Sequence, residues 1–175
     1  GARELGGTSP VYKLLRVHRN GGITFAQGME EMLAWRNPEW AREKGLFALY
    51  PYAAVENPVS VFRLAGYLWG KDFGHSGMAV GEIMFGPVSK WILLPYQPDA
   101  MGYMTAPFLD SPYGCSRPEA PFVHVRVHFD RADEIVKNPD RCAMRLLVRF
   151  YEEFGHAQDK IPFYNPQTAQ FKFPS

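Results

Sequence analysis

The sequence predicts a mainly α, irregular single domain: short capped helices, one β-strand at 122–129, and extended segments rich in proline and aromatic residues. Three observations carry that prediction. A capped amphipathic stretch runs from Asn138 to His156. Ser-Pro or Asn-Pro pairs at 9–10, 37–38, 57–58 and 138–139 each stand where a helix is expected to start. Only 122–129 alternates cleanly between apolar and polar residues.

The stretch from Asn138 is the clearest. Asn138 suits the N-cap, Pro139 the first helical position, and Asp140 the positive end of the helix dipole. Gly155 suits the left-handed residue that closes a helix. Between them Ala143, Leu147, Tyr151 and Phe154 form one stripe, flanked by Leu146 and Phe150. The result is a helix of roughly 16 residues, about 24 Å long. The fold is expected to pack on that aromatic stripe.

From the N-terminus, residues 1–9 read as extended. Ser9-Pro10 opens a helix whose apolar positions are Val11, Leu14, Leu15 and His18, and Asn20-Gly21-Gly22 stops it. Thr24 caps a second helix, Phe25 to Arg36. Asn37-Pro38 opens a third that Gly45 ends, and Asn57-Pro58 opens a fourth over 58–70. Glycines at 66, 70, 74, 77, 81 and 86 run through the sparsely charged region 58–95 and read as turns and bends, with the four-residue spacings 66/70 and 77/81 offering close backbone approach as the alternative. Ser76 caps a further helical run. Six prolines make 95–121 a loop that follows the surface. In the strand, Val123, Val125, Val127 and Phe129 share one face and His124, Arg126 and His128 the other. A lone strand is unstable, so a partner strand is expected, in this chain or another. Asp130 caps a short helix to Lys137. The domain plan is therefore a helical body, 1–155, and an extended C-terminal arm, 156–175. The arm carries Phe163, Tyr164, Phe171 and Phe173 and is expected to be held by contacts, at the strand edge 122–129 or on a neighbouring subunit, which the stiffening prolines at 162, 166 and 174 favour.

Composition excludes several functions. With 19 basic and 18 acidic side chains the net charge is +1, which disfavours a nucleic-acid partner bound by bulk electrostatics. The longest uncharged runs, 45–55 and 161–171, are about half the roughly 20 apolar residues a membrane span needs. Cys115 and Cys142 are too few for a metal site, and two free thiols are the simpler reading than a disulfide.

Candidate chemistry is thin. His124 and His128 lie four residues apart on a strand, about 13 Å between Cα atoms, too far to share one metal. Gly74-His75-Ser76-Gly77 falls short of a nucleophile elbow, because position 78 is Met. Asp72, His75 and Glu82 mark the best place for a small enzyme's site. Glu30 and Glu31 add carboxylates with no spacing that joins them to Glu82. Met29, Met32, Met78 and Met84 suit either core filling or an apolar ligand bound between helices. Arg141, Arg145 and Arg149 step by four along one helix face, a stripe for carboxylates, phosphates or lipid headgroups, or simply a solvated face. No cofactor or metal site is expected.

The expectation that fits best is a non-catalytic accessory subunit of a larger assembly. Its partners would be other protein subunits, with lipid headgroup contact and without nucleic acid or a transmembrane span. The near-neutral charge favours a membrane-associated assembly, of the mitochondrial respiratory-complex or ATP-synthase kind, over an RNA-rich one. The site would lie peripheral to the inner membrane, and a cytoplasmic site is the alternative. The interface is expected over 77–96, where Ile83, Phe85, Trp91, Ile92 and Leu93 crowd together. The Arg141, Arg145 and Arg149 stripe and the four aromatics of the arm complete it. A small soluble enzyme at Asp72, His75 and Glu82, or a helical module for an apolar ligand, are the alternatives.

Overall fold

The computed structural model describes residues 13–28, 39–86, 90–94 and 122–174. The fold is mixed α/β, which corrects the mainly α expectation: 42% of the described residues are helical and 28% lie in strands, in four small sheets. Each described sheet has two strands.

The first correction concerns the N-terminal helices. Lys13–Val17 is a strand, β1, paired antiparallel with β2, Ile23–Gln27. Asn20-Gly21-Gly22 is the turn of a hairpin, not a helix stop. The His18 carbonyl accepts from the Gly21 N–H at 2.9 Å, and Gly21 sits at φ 83°. A three-residue loop closing on a left-handed glycine joins two strands with little strain. β1 is exposed along its whole length, so it has no inward face whose spacing could be read. The expected helix over 25–36 is strand as far as Gln27, and 29–36 lie outside the described residues, as do the Asn37-Pro38 pair and the 95–121 loop.

Helix α1 spans Glu39–Glu43 and β3 spans Phe47–Leu49. Helix α2 runs from Pro51 to Leu68, so it begins at Tyr50-Pro51 and continues through Pro58. Pro51 takes the first helical position, where no N–H is needed. Asn57 does not cap; its side-chain amide donates to Gln27 Oε1 at 2.6 Å and ties α2 to β2. Trp91–Leu93 forms β5, parallel to β3.

The expected helix after Ser76 is also a strand. Ala79–Phe85 forms β4, antiparallel to β6, Val123–Phe129, in register from Ala79↔Phe129 to Phe85↔Val123. β6 is the strand expected from its alternation, and β4 is the partner it needed. Helix α3 is Asp133–Lys137 and α4 is Pro139–Glu153. All six members of the α4 aromatic and aliphatic stripe are buried.

The core is a layer of α2 and α4 against the inner face of β4 and β6. Val55, Val59 and Phe62 of α2 meet Val123, Val125 and Phe129 of β6 and the α4 stripe. Helices α2 and α3 pack very closely at Gly66: a Cβ there would lie 2.9 Å from the Ile135 carbonyl oxygen. Gly66 therefore serves close backbone approach, the alternative to a bend, while a Cβ at Gly70 would lie 3.0 Å from the Val136 side chain. A smaller cluster of Ala41, Ala48 and Leu94 sits beside the core.

The tail is held by contacts, as expected, but its strands pair with each other and not with β6. Tyr164–Asn165 (β7) and Gln170–Phe171 (β8) pair antiparallel and fold back onto the body. It is a docked hairpin, not an arm that reaches outward.

Candidate functional site

Sequence parity decides what the β4–β6 sheet offers. On β4, Ala79, Gly81 and Phe85 are buried and Ile83 half-buried, while Val80, Glu82 and Met84 face out. On β6, His124 and Arg126 face out beside them. Register places Glu82 opposite Arg126, Met84 opposite His124 and Val80 opposite His128. The Arg126 guanidinium donates to Glu82 Oε2, from Nε at 2.7 Å, and His124 Nε2 lies 3.3 Å from the same oxygen. Arg126 first and His124 second hold the Glu82 carboxyl below the usual range. Around this polar centre the surface is apolar. Met78 is 79% exposed and Met84 64%, and Val80 and Phe122 are exposed as well. The face is backed by the core, so its geometry is fixed.

The interface residues expected over 77–96 fall mostly on the other side. Phe85, Trp91 and Leu93 are buried in the chain's own core, and Ile83 and Ile92 are half-buried against it. Phe85 and Trp91 meet edge-on with ring centroids 5.3 Å apart. Reading the stretch with helical spacing concealed that the outward residues are the even-numbered ones, Val80, Glu82 and Met84.

The arginine stripe divides into three roles. Arg145 Nη1 donates to Glu134 at 3.2 Å and Nη2 to the His128 carbonyl at 3.1 Å, and its guanidinium lies 4.6 Å from the Phe129 ring centroid. It pins α4 to α3 and β6. Arg149 pairs with Glu152 at 3.4 Å. Arg141 is exposed and has no ion-pair partner among the described residues. A hollow of about 400 Å³ lies between α3 and α4, lined by Asp133, Glu134, Lys137 and Arg141 with Cys142 beneath. Asp133 is held by Lys137 and Arg131, Glu134 by Arg145, so the lining is largely neutralised from within. Burial pushes the Cys142 thiol up to about 11.

The tail aromatics form a latch. Arg63 grips Asp140 through Nε–Oδ1 and Nη2–Oδ2, both 2.7 Å. Asp140 also accepts the Phe171 N–H at 2.8 Å, and Arg63 donates to the Phe171 carbonyl at 2.8 Å. Phe171 is buried, and Phe163 meets the Tyr52 ring edge-on and Phe173 meets it at a tilt. Burial would raise the Asp140 carboxyl, but Arg63 and the Phe171 amide together hold it below the usual range. Sequence reasoning assigned Asp140 to the helix dipole alone. Arg63, the one charged side chain between Glu56 and Lys71, was the available signal: a lone cation on an apolar helix needs a partner.

Asp72, His75 and Glu82 do not assemble. Glu82 is engaged by Arg126 and His124; the His75 ring lies against Trp69, and Asp72 has no hydrogen-bond or ion-pair partner among the described residues. His124 and His128 both lie on β6, where His124 pairs with Glu82. Among the described residues no group of three or more His, Cys, Asp or Glu could hold a metal ion, and no helix is long and apolar enough to cross a membrane. Met29, Met32, Glu30, Glu31 and Cys115 lie outside the described residues. No family model, curated protein or solved structure matches the chain.

Proposed function

We propose that this protein is a non-catalytic accessory subunit that joins other protein chains through the outer face of β4 and β6. One observation carries the reading. A rigid, core-backed sheet exposes Met78, Val80, Met84 and Phe122 around the Glu82–Arg126–His124 centre. Protein interfaces are enriched in methionine and aromatic residues, the Glu82–Arg126–His124 group is satisfied within the chain, and methionines adapt their shape to a partner surface. The finer reading is a subunit of a membrane-associated mitochondrial assembly, of the respiratory-complex or ATP-synthase kind. It is supported by the balanced charge, which disfavours an RNA-rich assembly.

Gel filtration of native extract containing the tagged full chain tests the proposal. The chain should elute far above the size of one copy, and Met84→Lys should shift it towards monomer while leaving its circular dichroism unchanged. Elution of the unmodified chain as a monomer overturns the reading.

A further inference from the structure

Among the described residues the β1–β2 hairpin has an open edge at Leu15 and Val17, and Arg16 and Arg19 have no carboxylate partner. The His18 N–H donates to the Gly22 carbonyl at 2.7 Å, so that pair is hydrogen-bonded. Alternation along the ladder then makes Arg16↔Thr24 and Leu14↔Ala26 the bonded pairs. Leu15 and Val17 turn their N–H and C=O groups away from β2, and no backbone partner meets them among the described residues. Leu14 and Leu15 are 52% and 54% exposed. The hairpin is held at its turn and on β2: Trp69 Nε1 donates to the Gly21 carbonyl at 2.7 Å, and Gln27 meets Asn57. Among the described residues the outer edge of β1 at Leu15 and Val17 therefore has no backbone partner.

Charge points the same way. Residues 13–28 contain Lys13, Arg16 and Arg19 and no Asp or Glu. Arg16 and Arg19 have no carboxylate partner among the described residues.

We propose that the β1 edge docks an extended acidic segment of another protein chain, which adds to the hairpin as a third strand. This rests on the reading of the protein as an assembling subunit. A polypeptide strand supplies N–H and C=O groups at the spacing that Leu15 and Val17 present, which lipid headgroups do not. Directly opposed side chains on paired strands interact across about 5 Å. The segment therefore places a carboxylate against Arg16, on the face it shares with Leu14, and apolar side chains against Leu15 and Val17 on the other. The fitting pattern alternates acidic and aliphatic residues.

The test uses the intact protein and an acetylated heptapeptide amide of alternating Glu and Val. Controls are the same peptide with Lys for Glu, one N-methylated at alternate residues to block its pairing edge, and vesicles of phosphatidylcholine with phosphatidylserine. The Glu–Val peptide should slow amide exchange at Leu15 and Val17 and bind about tenfold or more tighter than the Lys–Val peptide, as expected for opposite against like charges. Binding should weaken by about tenfold in the exposed-site double variant Arg16→Glu/Arg19→Glu, and should vanish with the N-methylated peptide. Equal binding of the N-methylated peptide, or unchanged exchange at Leu15 and Val17, overturns the proposal. Vesicle binding without peptide binding overturns it in favour of a lipid surface. Failure of the parent reading looks different: there the unmodified chain is monomeric in native extract. Failure here leaves an Arg16→Glu/Arg19→Glu chain that still assembles fully.

Discussion

Asp140→Asn tests what holds the C-terminal hairpin to the body. The substitution keeps size and shape but removes the charge and turns one acceptor into a donor. Three contacts are affected: the two 2.7 Å bonds from Arg63 and the 2.8 Å bond from the Phe171 N–H. Arg63 is 43% exposed and Asp140 10%, so water compensates much of the ion pair, whose loss costs about 0.5–1 kcal/mol. The Phe171 residue is buried, and stranding its N–H costs about 1–3 kcal/mol. The sum, roughly 2–4 kcal/mol, corresponds to a fall in Tm of about 4–16 °C for a chain of this length. Thermal unfolding followed by circular dichroism measures it, and limited proteolysis should cut the tail faster in the variant. A double-mutant cycle with Arg63→Gln should show coupling of about 0.5 kcal/mol or more. The acid limb supplies a sign. A carboxyl held below its unfolded value near 3.9 stabilises fully above that pH, and this contribution is lost as pH falls through the folded value. Asp140→Asn should remove that part of the acid sensitivity. A Tm change below about 1 °C with unchanged tail proteolysis would refute the latch.

Other outcomes follow from the same structure. Gly66→Ala places a Cβ 2.9 Å from the Ile135 carbonyl and should cost about 1–3 kcal/mol in urea unfolding, by forcing α2 and α3 apart; an unchanged midpoint contradicts the close packing. His156 is buried with Nε2 2.8 Å from the Leu93 carbonyl, and burial lowers its pKa. The unfolded chain takes up that proton near pH 6.5 and the native one resists, so stability should decline as pH falls below about 6.5. His156→Gln should flatten that limb, and a parallel decline in both proteins excludes His156 as its cause. In a Cys115→Ser chain, Cys142 should alkylate at pH 8 more than about a hundredfold slower than a free thiol, given burial and a pKa of about 11; labelling within about tenfold of a free thiol contradicts its burial.

What was legible in the sequence depended on whether burial left a period to read. Helix α4 has one face in the core and declared itself through Asn138, Pro139 and the stripe to Phe154. Strand β6 declared itself by alternation, with its partner expected though not located. β4 hid because Gly81 interrupts its inward face and Met84 stands on the outward one, so AVGEIMF reads as either period. β1 hid because nothing in it is buried, and adjacent Leu14 and Leu15 mimic a helix face. Helix α2 was placed late because Asn57-Pro58 outweighed Tyr50-Pro51, although a proline seven residues into a helix was tolerated. Over 77–96 the outward residues were not legible, because choosing the wrong period swaps the buried side for the exposed one. The Arg63–Asp140 pair joins residues 77 apart, a separation that no local pattern reports.

The latch has a consequence for the order in which the chain is made. Arg63 reaches the Phe171 carbonyl across 108 positions of sequence, and ribosomes add about 5–20 residues per second. Helix α2 is therefore complete for about 5–20 s before its last partner has been synthesised. For most of that interval Val55, Val59 and Phe62 lack α4, and to its end they lack the closing hairpin. The nascent chain must carry this apolar face until those segments follow, so holding it against premature association falls to chaperones.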